Sequence, residues 1–197
     1  MAMIGAELTA EYRAALSATP TQDMAPLLAA GVRAAIVAML QPATCRITVD
    51  CDTYRPDQEG GDAFILPLRA DNPVGPEAAD PEATIRAGAI VDLLAIHPSH
   101  PARWALRLGN ATWLGAIEPQ YLHPPPVSVW RTPLAWMLAG CRGLVLLSSD
   151  RAEGHRILTE CIGGILAEDG SHAAELHAIL DRPRPAPPVI VRARHAA

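Results

Sequence analysis

The chain has 197 residues, half of them apolar and 19% charged, which is enough for one full hydrophobic core and too apolar for global disorder. Its net charge of -5 and pI near 5.8 give a long-range field that repels nucleic acid, and no apolar run reaches the ~18 residues of a membrane span. All 16 basic residues are arginine. Under that coding bias a single Arg says little about phosphate recognition.

The first elements read as helices. Ile4, Leu8, Tyr12 and Leu16 recur every four residues until Thr19-Pro20 stops the run. Asp23 then offers a cap and Pro26 suits a first turn, so Met24, Leu28, Val32, Ala35 and Met39 predict a second helix up to Pro42. Residues 1–42 form an N-terminal helix pair on this reading. Glu7 and Glu11 stand where an export signal would carry basic residues, which places the chain in the cytoplasm.

From Cys45 the period falls to two. Cys45, Ile47, Val49 and Cys51 alternate with Arg46, Thr48, Asp50 and Asp52, predicting a half-buried strand. After a polar loop, Thr53 to Asp62, the run Ala63 to Leu68 supplies an antiparallel partner. Residues 70–81, rich in Pro, Asp and Glu, read as a solvated connector. Asp80-Pro81-Glu82 has the order of a helix start, and the apolar residues from Ile85 to Ile96 predict a central helix ending at His97-Pro98. Two alternating runs, 103–108 and 111–117, flank Gly109-Asn110 and predict a tight hairpin with Trp104 opposite Gly115.

The back of the chain reads differently. Pro124-Pro125-Pro126 leads stiffly into Val127–Trp130, and Thr132 caps a short helix with Pro133 in its first turn. Apolar runs at 143–147, 163–167 and Val189–Val191 alternate with helical stretches Asp150–Cys161 and Ser171–Leu180, predicting a parallel βαβαβ unit over 141–192. The fold class is α/β (mixed α+β) in a single domain, 1–197, with hairpins and helices over 43–140, one mixed sheet and a flexible tail, 193–197.

Chemistry has few places to live. Ligands of parallel sheets bind beyond the carboxyl ends of strands, where helix N-termini offer free N–H groups. Two such ends carry Ser148-Ser149-Asp150 and Glu168-Asp169-Gly170-Ser171-His172. Were the two strands adjacent, Asp150 and Glu168 would meet and could hold Mg²⁺ or Mn²⁺, with Asp169 beside them and His172 as acid or base; the same Ser and Asp residues also suit helix caps. His172-Ala173-Ala174-Glu175-Leu176-His177 lacks the spacing of a zinc-protease helix, and no glycine-rich phosphate loop or GxSxG elbow occurs. Asp50 and Asp52 share a face that suits a solvated sheet. Cys45, Cys51, Cys141 and Cys161 lack ligand spacing and read as reduced. Glu118, Tyr121 and His123, beside the triple proline, form a candidate interaction surface.

The stretch Trp104–Cys141 resembles small proteins of high-GC bacteria encoded near replication genes of mobile elements. No motif with known chemistry carries the resemblance, and it implies no residue role. The leading functional expectation is a non-catalytic binding or accessory protein that engages another protein or forms a homo-oligomer, with no cofactor and without membrane or nucleic acid. The alternatives are a metal-dependent enzyme acting on a phosphate-containing substrate and a small-ligand sensor, both at the strand ends.

Overall fold

The computed structural model describes residues 2–69, 89–100, 103–115, 126–161 and 163–181. Helix α1 (Ala2–Ala18) is followed by a single 3-10 turn (Thr21–Met24), then α2 (Ala25–Ala29) and α3 (Ala34–Leu40). Five strands come next: β1 (Ala43–Asp50), β2 (Thr53–Pro56), β3 (Gly61–Arg69), β4 (Ile90–Ile96) and β5 (Trp104–Leu106). They close into a barrel in the order β1-β2-β5-β4-β3, antiparallel except where Thr53 of β2 pairs with Leu106 of β5.

A separate sheet holds β6 (Trp113–Gly115), β7 (Val127–Trp130), β8 (Leu144–Leu146) and β9 (Ile165–Leu166) in the order β6-β8-β7-β9. Here β7 runs parallel to both β8 and β9, while β6 pairs antiparallel with β8. Helices α4 (Pro133–Leu138), α5 (Arg151–Thr159) and α6 (Gly170–Leu180) connect or follow the parallel strands. The chain is therefore mixed α/β as expected, but a closed barrel and a second sheet replace the single mixed sheet.

Strand parity assigns the faces. Ala43, Ile47, Tyr54, Ala63, Ile65, Leu93, Ala95 and Ala105 form one buried cluster with Leu8 and Tyr12 of α1. The many alanines let the helix approach the strands closely, and α1 packs on β1 and β4. The opposite parity, Phe64, Leu66, Leu68, Leu94, Ile96 and Leu106, packs against Met24, Leu27, Val32 and Ile36 and against Leu114, Trp136, Met137, Val145 and Leu147 of the second sheet and α4. One core thus runs through the barrel and the sheet. On the sheet's other face, Val129 and Leu144 meet Ile157 and Leu158 of α5 and Leu176 of α6.

Several expectations are corrected. The second helix does not run unbroken to Pro42: Gly31 takes φ of 95° and separates α2 from α3, burying Leu27 and exposing Leu28. Asp23 makes no cap and accepts instead from the Thr44 hydroxyl at 3.2 Å. The loop expected from Thr53 contains β2, joined to β1 by a two-residue turn at Cys51-Asp52. The run Ile90–Ile96 is a strand and not the end of a helix; buried on both faces, it lacks the alternation that would have told strand from helix. The helix start at Asp80 lies outside the described residues.

The hairpin at Gly109-Asn110 does not form either. Trp104 pairs with Ile96 in the barrel, whereas Trp113–Gly115 pairs with β8. A tryptophan does cover Gly115, but it is Trp136, whose indole N–H donates to the Gly143 carbonyl at 3.2 Å. Gly115 has φ of 101° and its backbone crowds that carbonyl, so a side chain there meets strain and a clash.

What turns the chain at 107–111 is Asp92, fully buried in β4. Its carboxylate accepts from the backbone N–H groups of Leu93 at 2.8 Å, Leu108 at 2.9 Å, Asn110 at 2.6 Å and Ala111 at 3.2 Å. Four amide donors replace the water that a buried charge loses. Asp92→Asn keeps the shape but supplies one acceptor oxygen and sets an NH₂ against backbone donors. We expect a loss on the order of 3 kcal/mol, read by denaturant unfolding.

The cap at α4 agrees with expectation: Thr132 Oγ1 accepts from Ala135 N at 3.1 Å, with Pro133 in the first turn. Thr132→Ala should lower stability by ~1 kcal/mol in the same measurement.

Candidate functional site

The parallel strands β8, β7 and β9 end at one edge, and the chain leaves them toward different faces. After β7 it enters α4, on the barrel side of the sheet; after β8 and β9 it enters α5 and α6 on the far side. The carboxyl ends of strands that diverge in this way are the usual ligand position in doubly wound sheets. Here that edge carries Arg131-Thr132 after β7, Ser148-Ser149-Asp150 after β8 and Glu168-Asp169 after β9.

β7 lies between β8 and β9. Asp150 and Glu168 therefore leave from strands two places apart, about 10 Å at the backbone. Asp150 caps α5, accepting from Ala152 N at 2.8 Å, and its own N–H donates to Ser148 Oγ at 3.0 Å. Ser149 is exposed next to it. Asp169 caps α6 by accepting from His172 N at 2.8 Å. His172 is buried, and its Nδ1 accepts from Glu168 N at 3.2 Å, which fixes the turn between β9 and α6.

The residue that sequence reasoning missed is Arg131. Its guanidinium meets both oxygens of Asp169, at 2.6 and 3.2 Å, and Glu175 Oε1 at 3.0 Å. Glu168 approaches from the side, with Oε2 3.7 Å from Nη1 and Oε1 accepting from the Arg131 backbone N–H at 2.7 Å. Ser171 adds a hydroxyl donated to Glu175 at 3.3 Å. The site thus gathers Glu168, Asp169, Ser171 and His172 around one cation and leaves Asp150 on the neighbouring helix. One formal positive charge faces three negative ones, so this edge remains acidic.

The electrostatics follow from the contacts. Arg131 holds the Asp169 carboxyl down at about 2, with help from the His172 backbone N–H, and it lowers Glu175 as well. Asp169 and Glu175 in turn raise the guanidinium's affinity for its proton. Among the described residues no three His, Cys, Asp or Glu side chains are placed to hold a metal ion. For Glu168 to take Mg²⁺ or Mn²⁺ it would have to exchange Arg131 for the ion.

The remaining candidates sit elsewhere. Asp50 ends β1, and Cys51, at φ of 54°, turns into Asp52, whose carbonyl accepts from Leu106 N at 3.0 Å. All four cysteines are free. Burial pushes the Cys141 thiol up to about 12 and Cys161 up to about 11, far from nucleophilic use. Glu118, Tyr121 and His123 lie outside the described residues.

Replacing Arg131 by Gln should return the Asp169 carboxyl from about 2 toward the ordinary range near ~3.9. Because the folded value is the depressed one, the ion cluster's contribution to stability is present above ~pH 3.9 and fades as pH falls toward 2. Carboxyl ¹³C titration of wild type and Arg131→Gln reads both values. Unchanged Asp169 titration in the variant overturns this account of the site.

No protein-family model matches the chain, and no curated protein and no solved structure shows significant similarity to it.

Proposed function

We propose that this chain is a non-catalytic binding or accessory protein of the cytoplasm that engages another protein or a second copy of itself. The observation that carries the reading is the surface of α2 and α3. From Met24 to Thr44 the sequence holds a single charged residue, Arg33. Yet Ala25, Pro26, Leu28, Ala29, Ala30, Ala34, Ala35 and Ala38 are all exposed.

Leu138 of α4 extends this surface. Leu28 and Leu138 are each 45% exposed and both border Gly31: the Gly31 N–H donates to the Leu28 carbonyl at 3.0 Å, and Leu138 Cδ2 would stand 3.5 Å from a Cβ there. The exposed Arg33 guanidinium folds over Gly140 at the rim. Isolated apolar side chains on a surface are ordinary, whereas a contiguous, charge-poor patch with an arginine at its edge has the composition of a protein interface. Among the described residues no helix is long and apolar enough to cross a membrane. The strand-end cluster, with its carboxylates already engaged by Arg131, supports a structural part in this reading.

Analytical ultracentrifugation of wild type and of Leu28→Glu with Leu138→Glu tests the proposal. Self-association abolished by the paired substitution supports a copy of the chain as partner. A wild-type monomer that retains a cross-linked host protein, lost in the variant, supports another protein. A wild-type monomer whose cross-linking profile matches the variant's sinks the reading.

A further inference from the structure

The rim of the α2–α3 surface carries one sign of charge. The two segments that build it, Met24–Thr44 and Thr132–Ser149, contain no Asp or Glu; their charged residues are Arg33 and Arg142. Both arginines are exposed, and among the described residues neither side chain makes an ion pair. The acidic residues that bound these segments are engaged, Asp23 by the Thr44 hydroxyl at 3.2 Å and Asp150 by Ala152 N at 2.8 Å.

The two cations stand at one place. The Arg33 guanidinium lies over Gly140, where a Cβ would collide with it, and its charge reaches the Cys141 thiol, the neighbour of Arg142. The loop that carries Arg142 is pinned: Gly140, Cys141 and Gly143 take φ of 78°, 62° and 82°, the Trp130 indole N–H donates to the Arg142 carbonyl at 2.7 Å, and the Trp136 indole N–H donates to the Gly143 carbonyl. A cation on such a fixed backbone loses less entropy when a carboxylate binds it.

This charge pattern selects the occupant. A two-fold contact sets a surface against its own copy, which here gives each arginine only apolar residues and other arginines to face, and like charges across an interface are disfavoured. An anionic membrane answers the charge but not the shape. α2 and α3 hold 5 and 7 residues, Gly31 breaks them apart, and the large exposed apolar side chains there are Leu28 and Leu138. Membrane-surface helices are longer, and basic membrane-binding clusters gather about 4–8 cations.

Resting on the reading of this surface as an interface, we propose that its occupant is an acidic amphipathic segment of a different protein. Apolar side chains of that segment cover Leu28, Leu138 and the alanines of α2 and α3, and its carboxylates meet the guanidinium forks of Arg33 and Arg142. The chain's net charge of -5 opposes such a partner at long range, so the preference is made locally by the two arginines.

Two synthetic peptides of equal length and identical Leu-Ala stripe, one flanked by Glu and one by Arg, test this by fluorescence anisotropy with the full chain. Wild type should bind the Glu peptide ~10-fold more tightly than the Arg peptide, and Arg33→Glu with Arg142→Glu should reverse the order. Binding of either peptide should be lost in Leu28→Glu with Leu138→Glu. Equal affinities, no binding, or a preference that the charge reversal leaves unchanged overturn the proposal; if the leucine substitutions still abolish binding, the interface reading survives that failure. Wild-type self-association abolished by the leucine substitutions also overturns it, since the occupant is then a second copy. So does co-sedimentation of wild type with phosphatidylserine vesicles that the charge reversal abolishes, which makes the surface a lipid site.

Discussion

A carboxylate without solvent contact, Asp92, holds the point at which the barrel gives way to the second sheet. β4 is otherwise apolar, and the polar side chain is accommodated there because four backbone N–H groups converge on it. Three of the four belong to 108–111, the segment that carries the chain out of the barrel. Without that anchor the segment has no reason to break from β5 at Leu106 and re-enter as β6 at Trp113. The shared core of Phe64, Leu94, Leu114 and Val145 depends on the break, since it positions β6 over residues of β3 and β4.

This explains why the front of the fold was hard to read. Gly109-Asn110 between two alternating runs is a strong local hairpin signal, but the runs serve different sheets, and the decision lies with a residue 17 positions upstream of Gly109. The sequence does carry a trace of it, a lone Asp inside Ile90–Ile96. Likewise, a strand buried on both faces has no period-two pattern, so Ile90–Ile96 resembles a buried helix. Where elements are set by local chemistry they were legible. The Thr132 cap, the Asp150 and Asp169 caps and the two helices they start lie where the residues indicated.

The site was legible in place but not in content. Strand ends and capped helices can be read along the chain, and Glu168, Asp169, Ser171 and His172 do gather at the expected edge. The partner that organises them, Arg131, is 37 to 44 residues away in sequence and sits in a chain whose every basic residue is arginine. Nothing local distinguishes it. The interposed β7 also separates Asp150 from Glu168, and strand order of that kind follows from crossover direction rather than from any residue between the strands.

The seat of the first helix sets an order of events during synthesis. α1 is made before the strands that seat it: it rests on β1 and β4, and its Glu11 is held by Arg107 at 3.1 Å, across 96 residues. The chain through Arg107 must leave the ribosome before that seat exists. Leu8 and Tyr12 therefore stay uncovered through the early part of translation, and contacts of such long range close slowly because the loop entropy is lost before the burial is gained. The barrel is completed beside an element that has waited for it, and that interval is when the nascent chain is most open to capture by a chaperone.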